Sequence, residues 1–313
     1  MAHPRKFRFG VTALTAESER DFRDKVAKVE DLGYSTLFLA DHFADTQLAP
    51  MVGVAVAAGV STTLRVGHLV LGNDYKHPVV TAKEAATLDL LSGGRLELGL
   101  GAGWMIADYE QLGLPYDSAG TRIARLAEAV DVVKHCFSGE AFDHHGEHYT
   151  INGYTGKPTP VQQPRPPLLM GGGGPKMLRL AGREADIVGI NPNLGAGVIG
   201  ADAVMTATRE LTFQKVEWVR EGAGDRFDDL ELQIRYYVAA ITDDPRGLAE
   251  RLAPGFGISA DDALALGVVL AGSVDEVCDL LVQRREEWGV SYCVFGQDTY
   301  EAFAPVVDRL AGT

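Results

Sequence analysis

The sequence predicts an α/β fold, a (β/α)8 TIM barrel, on three observations. Eight short apolar segments of strand character recur along the chain, each followed by a segment of helical periodicity. The first strand runs into "GVTALTAE", without the glycine cluster that opens a doubly wound nucleotide-binding sheet. No low-complexity linker interrupts the alternation, so residues 1–313 read as one domain.

Taken in order, "FRFGVT" (7–12) is the first strand and "SERDFRDKVAKVEDLG" (18–33) an amphipathic helix closed by Gly33. "STLFLADH" (35–42) is the second strand, "PMVGVAVAAGV" (50–60) its helix, and "LRVGHLVLG" (64–72) the third strand. "PVVTAKEAATLDLLSGG" (78–94) leads to strand four, "RLELGLGAG" (95–103), and helix four covers 121–139. "PLLMGG" (167–172) is strand five, with helix "PKMLRLAGREA" (175–185). "DIVGI" (186–190) is strand six, with a helix over 202–221, and "LELQIRYYVAAIT" (230–242) strand seven. A helix over 273–289, "SYCVFG" (291–296) and "YEAFAPVVDRLAG" (300–312) complete the pattern.

Two insertions interrupt it. Residues 140–166, after helix four, hold a hairpin-like "AFDHHGEHYTINGY" and a proline-rich tail; residues 243–272 follow strand seven. Segments this long in a compact domain are commonly lids or binding elements. Because 243–272 leaves the C-terminal end of a strand, it is expected to close over the barrel mouth. The hairpin and a plain pair of surface helices are the alternatives.

Composition narrows the function. Forty-three acidic against 29 basic residues give a formal charge of −14, which repels phosphate backbones and anionic lipid. Nucleic-acid and membrane partners are therefore not expected, and no run reaches the length of a membrane span. The N-terminal basic residues precede no apolar stretch of signal-peptide length. Cys136, Cys278 and Cys293 are far apart and form no CxxC, as expected of reduced thiols in a cytoplasm.

In such a barrel, chemistry gathers where strands end. After strand five, Gly171, Gly172, Gly173 and Gly174 stand together before Pro175 and Lys176. Backbone without Cβ atoms, followed by a helix N-terminus and a lysine, suits a phosphate. A P-loop is absent, and "GLGAGW" is not GxGxxG, since Trp104 stands at the last glycine. After strand two, Asp41 and His42 end an apolar run, and imidazole can exchange a proton near neutrality. Gly72 and Asn73 after strand three, and Gly101 and Gly103 after strand four, would admit a planar ring, with Trp104 as a pocket wall. "DHHGEH" (143–148) offers His144, His145, Glu147 and His148, but in a turn-rich segment without HExxH spacing, so no metal is expected there.

Together, "ADHF", "LGAGW…DYEQLGLPYDSAGTRIARLAEAVDVVKHCFSG", "GEHYTINGY" and "PRPPLLMGGGGPKMLRLAGREADIVGIN" resemble the bacterial luciferase-like family over nearly the whole chain. They are most similar to its branch of oxidoreductases dependent on the deazaflavin coenzyme F420. The resemblance implies a (β/α)8 barrel that moves a hydride between F420 and an organic substrate. It assigns cofactor-phosphate binding to residues 171–174, Lys176 and Met177. It places Gly72 and Asn73 where relatives carry a non-proline cis peptide behind the ring. It sets Asp41 and His42 in the motif whose histidine faces the reacting centre. Sugar-phosphate dehydrogenases of the family carry Trp and Glu where this chain has Thr46 and Trp104, so that substrate is not implied. An FMN-dependent monooxygenase and a cofactor-free binding barrel stay open as alternatives. Segment 50–60 is apolar nearly all round, and relatives pair through this surface, which implies a homodimer.

Overall fold

The computed structural model describes residues 5–43 and 47–313, and Thr46 lies outside them. Eight parallel strands close into a barrel: β1 (Arg8–Thr12), β2 (Thr36–Leu39), β3 (Arg65–His68), β4 (Leu96–Gly101), β5 (Leu168–Gly172), β6 (Ile187–Ile190), β7 (Glu231–Arg235) and β8 (Val290–Gly296). Each pairs with its sequence neighbour, β8 pairs with β1, and the β3–β4 pairing completes the ring. The surrounding helices are α1 (Glu19–Asp31), α2 (Pro50–Val60), α3 (Pro78–Leu91), α4 (Ala119–Ser138), α5 (Pro175–Glu184), α6 (Arg209–Ala223), α7 (Val274–Trp288) and α8 (Ala304–Leu310). No helix is long and apolar enough to cross a membrane among the described residues.

The barrel interior decides which end is open. At the strand N-termini, Arg8 pairs with Glu97 and Glu231, and Arg65 Nε lies 2.8 Å from Glu97 Oε1. Tyr292 donates to the other Glu97 oxygen at 3.1 Å. The buried Glu97 is satisfied by the half-buried arginines, and the cluster occupies that end of the barrel. Phe38, Leu169, Ile187, Tyr292 and Val294 fill the layer above. Among the described residues, this leaves the C-terminal end of the barrel open to a ligand.

Several expected elements break. The third strand stops at His68; a cis Leu69–Val70 bond follows, and Leu71–Gly72 then pairs with Leu100–Gly101. The cis bond thus lies just upstream of Gly72 and Asn73. The helix expected over 202–221 is two, Ala201–Met205 and α6, because the Thr208 side chain accepts from Leu211 N–H and starts a new helix. The strand expected over 230–242 leaves the barrel after Arg235. Its second half, Val238–Ile241, pairs instead with Val269–Gly272.

Both insertions are ordered structures. The first is an antiparallel hairpin, Ala141–His145 with Thr150–Thr155. Glu128 of α4 accepts from His144 Nε2 at 3.0 Å and from the backbone N–H groups of His148 and Tyr149, which fastens the hairpin to that helix. Among the described residues, no group of three histidine, cysteine or acidic side chains is placed to hold a metal. The second insertion carries helices Pro245–Phe256 and Ala260–Ala265 before its strand.

Candidate active site

A cleft of about 530 Å³ opens at the C-terminal end of the barrel, within the usual size of small-molecule sites. Asp41, His42, Gly72, Gly101, Gly103 and Trp104 line one side, and Gly171–Gly174, Lys176 and Met177 another. Asn73 is the exception. Its side chain is buried away from the cleft and donates to Tyr149 Oη at 3.1 Å, bracing the hairpin.

His42 follows β2 and is fixed by a residue the sequence reading missed. Its Nδ1 lies 2.7 Å from Oδ2 of Asp108, which is fully buried. The other Asp108 oxygen accepts from Phe43 N–H at 2.7 Å. A carboxylate only accepts, so Nδ1 carries the proton and Nε2 remains for the cleft. The Trp104 ring meets the imidazole edge-on at 5.6 Å. Asp108 sits in a short helix, Ile106–Leu112, closed by left-handed Gly113. The "DYEQLG" stretch carries that closing glycine, the signal that could have revealed the helix.

Asp41 has a different task from its neighbour. Its Oδ2 accepts from Gly72 N–H at 3.1 Å, which ties the end of β2 to the end of β3. Burial raises its pKa above the ordinary aspartate value, and the Gly72 hydrogen bond opposes this only partly.

The glycine run divides in two. A Cβ on Gly173 would lie 2.2 Å from the Pro192 carbonyl oxygen, and one on Gly172 would lie 2.5 Å from Met177 Cγ. These glycines are required by packing whether or not a ligand binds. At Gly174 nothing but Asn193 Nδ2 lies near, at 3.9 Å, so its bareness serves the open space. Gly174 is the N-cap of α5, with Pro175 in the first turn, and no side chain caps it. Its free N–H groups and helix dipole face the cleft edge. Lys176 Nζ lies beside them and donates to Gly120 O at 3.1 Å.

The side of the mouth expected to be covered by 243–272 is covered otherwise. Among the described residues, that excursion gives the cleft none of its lining. The lining there comes from the segment after β6, through Asn191–Gly195 and Ile199, and from Arg235 and Tyr237. Lys215 of α6 pins this segment by donating to Asn191 O and Thr206 O, both at 2.7 Å. Burial lowers the Lys215 amine to about 8.

The closed barrel and its open end agree with known proteins. The chain belongs to the luciferase-like monooxygenase family, whose model matches residues 6–256. It is 31% identical over 257 residues to an F420-dependent glucose-6-phosphate dehydrogenase of Nakamurella multipartita, covering 79% of this chain and 72% of that one. It is 29% identical over 161 residues to an FMNH2-dependent dimethylsulfone monooxygenase of Pseudomonas putida, covering 51% of this chain and 44% of that one. In structure it resembles the coenzyme F420-dependent tetrahydromethanopterin reductase of Methanopyrus kandleri, with TM-score 0.76, 20% identity, and coverage of 98% and 99%. The family therefore includes both F420-dependent and FMN-dependent enzymes, and this chain is an enzyme of that family.

Proposed function

We propose that this protein is an oxidoreductase that moves a hydride between coenzyme F420 and a small organic substrate, working as a homodimer. The observation that carries the choice of cofactor is extent. Similarity to the F420-dependent dehydrogenase runs through 79% of the chain, against 51% for the FMNH2-dependent enzyme. The latter similarity supports a second reading, an FMN-dependent monooxygenase. The buried Asp108 behind His42 argues against a cofactor-free binding barrel, because positioning an imidazole this way serves proton transfer. Three buried free cysteines support a reducing compartment such as the cytoplasm.

The residues present fit a phosphate-bearing cofactor. The open backbone at Gly174, the uncapped start of α5 and Lys176 would hold its phosphate. The cleft floor at Gly101 and Val70 would lie beneath its ring. When bound, F420 supplies the hydride chemistry that no side chain can perform. The chain's own groups bind, orient and exclude water. His42 holds or moves a proton at Nε2, with Asp108 fixing its tautomer. Asp41 keeps Gly72 in place at the cleft wall, where the ring would lie.

Equilibrium titration of the purified protein with F420, followed by the cofactor's fluorescence, tests the proposal. Saturable binding at micromolar concentration supports it, and absence of binding refutes it.

A further inference from the structure

A second, smaller cavity of about 90 Å³ adjoins the cleft. Leu248, Leu252, Phe256 and Ala263 of the post-β7 excursion form one wall. Pro192, Leu194, Ile199 and Tyr237 line both this chamber and the main cleft. Apart from the Tyr237 hydroxyl, every lining side chain is apolar. The excursion thus builds a greasy side chamber next to the mouth.

Arg235, at the C-terminal end of β7, lines the main cleft next to Tyr237, which both cavities share. Its Nε is buried without a hydrogen-bond partner. Its guanidinium packs 5.0 Å from the centre of the Tyr237 ring. Arg8, Arg65, Arg125 and Arg165 each meet a carboxylate. Among the described residues Arg235 meets none, and unlike Arg95, Arg122 and Arg284, which also lack a carboxylate but donate to carbonyl and hydroxyl oxygens, its buried Nε has no acceptor. Asp41 on the cleft wall is committed to Gly72 N–H, and Asp108, buried behind His42, to His42 and Phe43. Arg235 is half-buried on the cleft wall, and a ligand anion there would supply the acceptor that its Nε lacks. The glycine run and α5 start belong to β5, two strands away in the ring, so the phosphate site proposed there does not include Arg235.

From this juxtaposition we propose that the substrate is a small amphiphilic acid. Its anionic group rests on Arg235, and its short apolar arm passes Tyr237 into the side chamber. An engineered cavity of about 150 Å³ accepts benzene, so a chamber this much smaller suits a few aliphatic carbons. The inference rests on the main cleft being the active one, as read above.

The test is calorimetric titration with straight-chain carboxylates from butyrate to octanoate and with the alkanols of equal length, with and without bound F420. Carboxylates are expected to bind at least 10-fold tighter than the alkanols, and affinity to rise about fourfold per methylene until the chamber is full. Arg235→Gln should erase the carboxylate advantage and leave alkanol binding unchanged. Leu252→Ala, which enlarges the chamber, should move the preferred chain length upward; Ala263→Leu should shorten it. Equal binding of acids and alkanols, or an Arg235→Gln variant that loses F420 and not carboxylate affinity, would overturn the proposal. Carboxylate binding without any F420 binding would refute the cofactor assignment and leave this proposal standing.

Discussion

The Nδ1 of His42 lies 2.7 Å from a carboxylate oxygen of Asp108, sixty-six residues away in sequence and fully buried. The pair makes His42 a directed group: one nitrogen is held, and the other is left for the cleft. His42→Ala should lower turnover by about 10²-fold while cofactor affinity changes little. Steady-state kinetics at saturating substrate checks this, and unchanged turnover would reduce His42 to a structural residue.

Asp108→Asn separates positioning from packing. An asparagine can fill the same space but can present its amide to Nδ1 as a donor, reversing the imidazole tautomer. The expected result is a fall in kcat with a shifted pH profile, and a KM within about twofold of wild type. A variant with reduced KM-independent stability but an unaltered pH profile would mark the pair as structural.

At the glycine run, two neighbouring substitutions should behave differently. Gly173→Val drives a side chain into the Pro192 backbone and should destabilise the fold. Gly174 has extended backbone and open space, so Gly174→Val should keep its Tm and lose at least about 10-fold in cofactor affinity. Thermal unfolding and cofactor titration of both variants provide the comparison. Full affinity in Gly174→Val would move the phosphate elsewhere.

The stability of the α2–β3 connection should depend on pH through Glu30. Burial works to raise its pKa, but hydrogen bonds from Thr62, Thr63 and Leu64 N–H groups prevail and hold it at about 2. A carboxylate depressed in this way stabilises the fold above its unfolded pKa, and that stability is lost as pH falls toward 2. Glu30→Gln should therefore lower Tm by about 2–4 °C at pH 7, with the gap to wild type closing between about pH 4.5 and 2. A gap independent of pH would contradict the assignment.

A homodimer is expected through α2 and α3, where Val52, Val56, Val80, Leu90 and Leu91 are exposed on helices whose other faces are buried. Light scattering should give twice the 33.6 kDa chain mass. Val56→Glu with Leu91→Glu should give the monomer. A wild-type monomer at micromolar concentration would remove the dimer.

The barrel was legible in the sequence because short apolar strands alternate regularly with helix-like segments, several of which, such as α1 and α5, show a clear helical period. The errors fall where tertiary context overrules pattern. "LRVGHLVLG" is apolar throughout, yet the chain turns at Leu69–Val70. "LELQIRYYVAAIT" reads as one strand, yet its second half serves another sheet. At the site, His42 and the glycines stood out because their residue types are informative at strand ends. Asp108 and Arg235 did not, because an aspartate inside a short helix and an arginine ending a strand signal nothing until folding brings one behind His42 and the other to the cleft. Asn73 misled for the opposite reason: its position suggested a ring contact, and its side chain turns to Tyr149.

The most direct measurement is a competition between F420 and FMN for the same cleft, with Gly174→Val as control. F420 binding at least about 10-fold tighter than FMN, with both weakened by the substitution, is the result predicted for an F420-dependent enzyme holding its cofactor at Gly174. FMN binding tighter than F420 would contradict the account and make the protein an FMN-dependent member of the family.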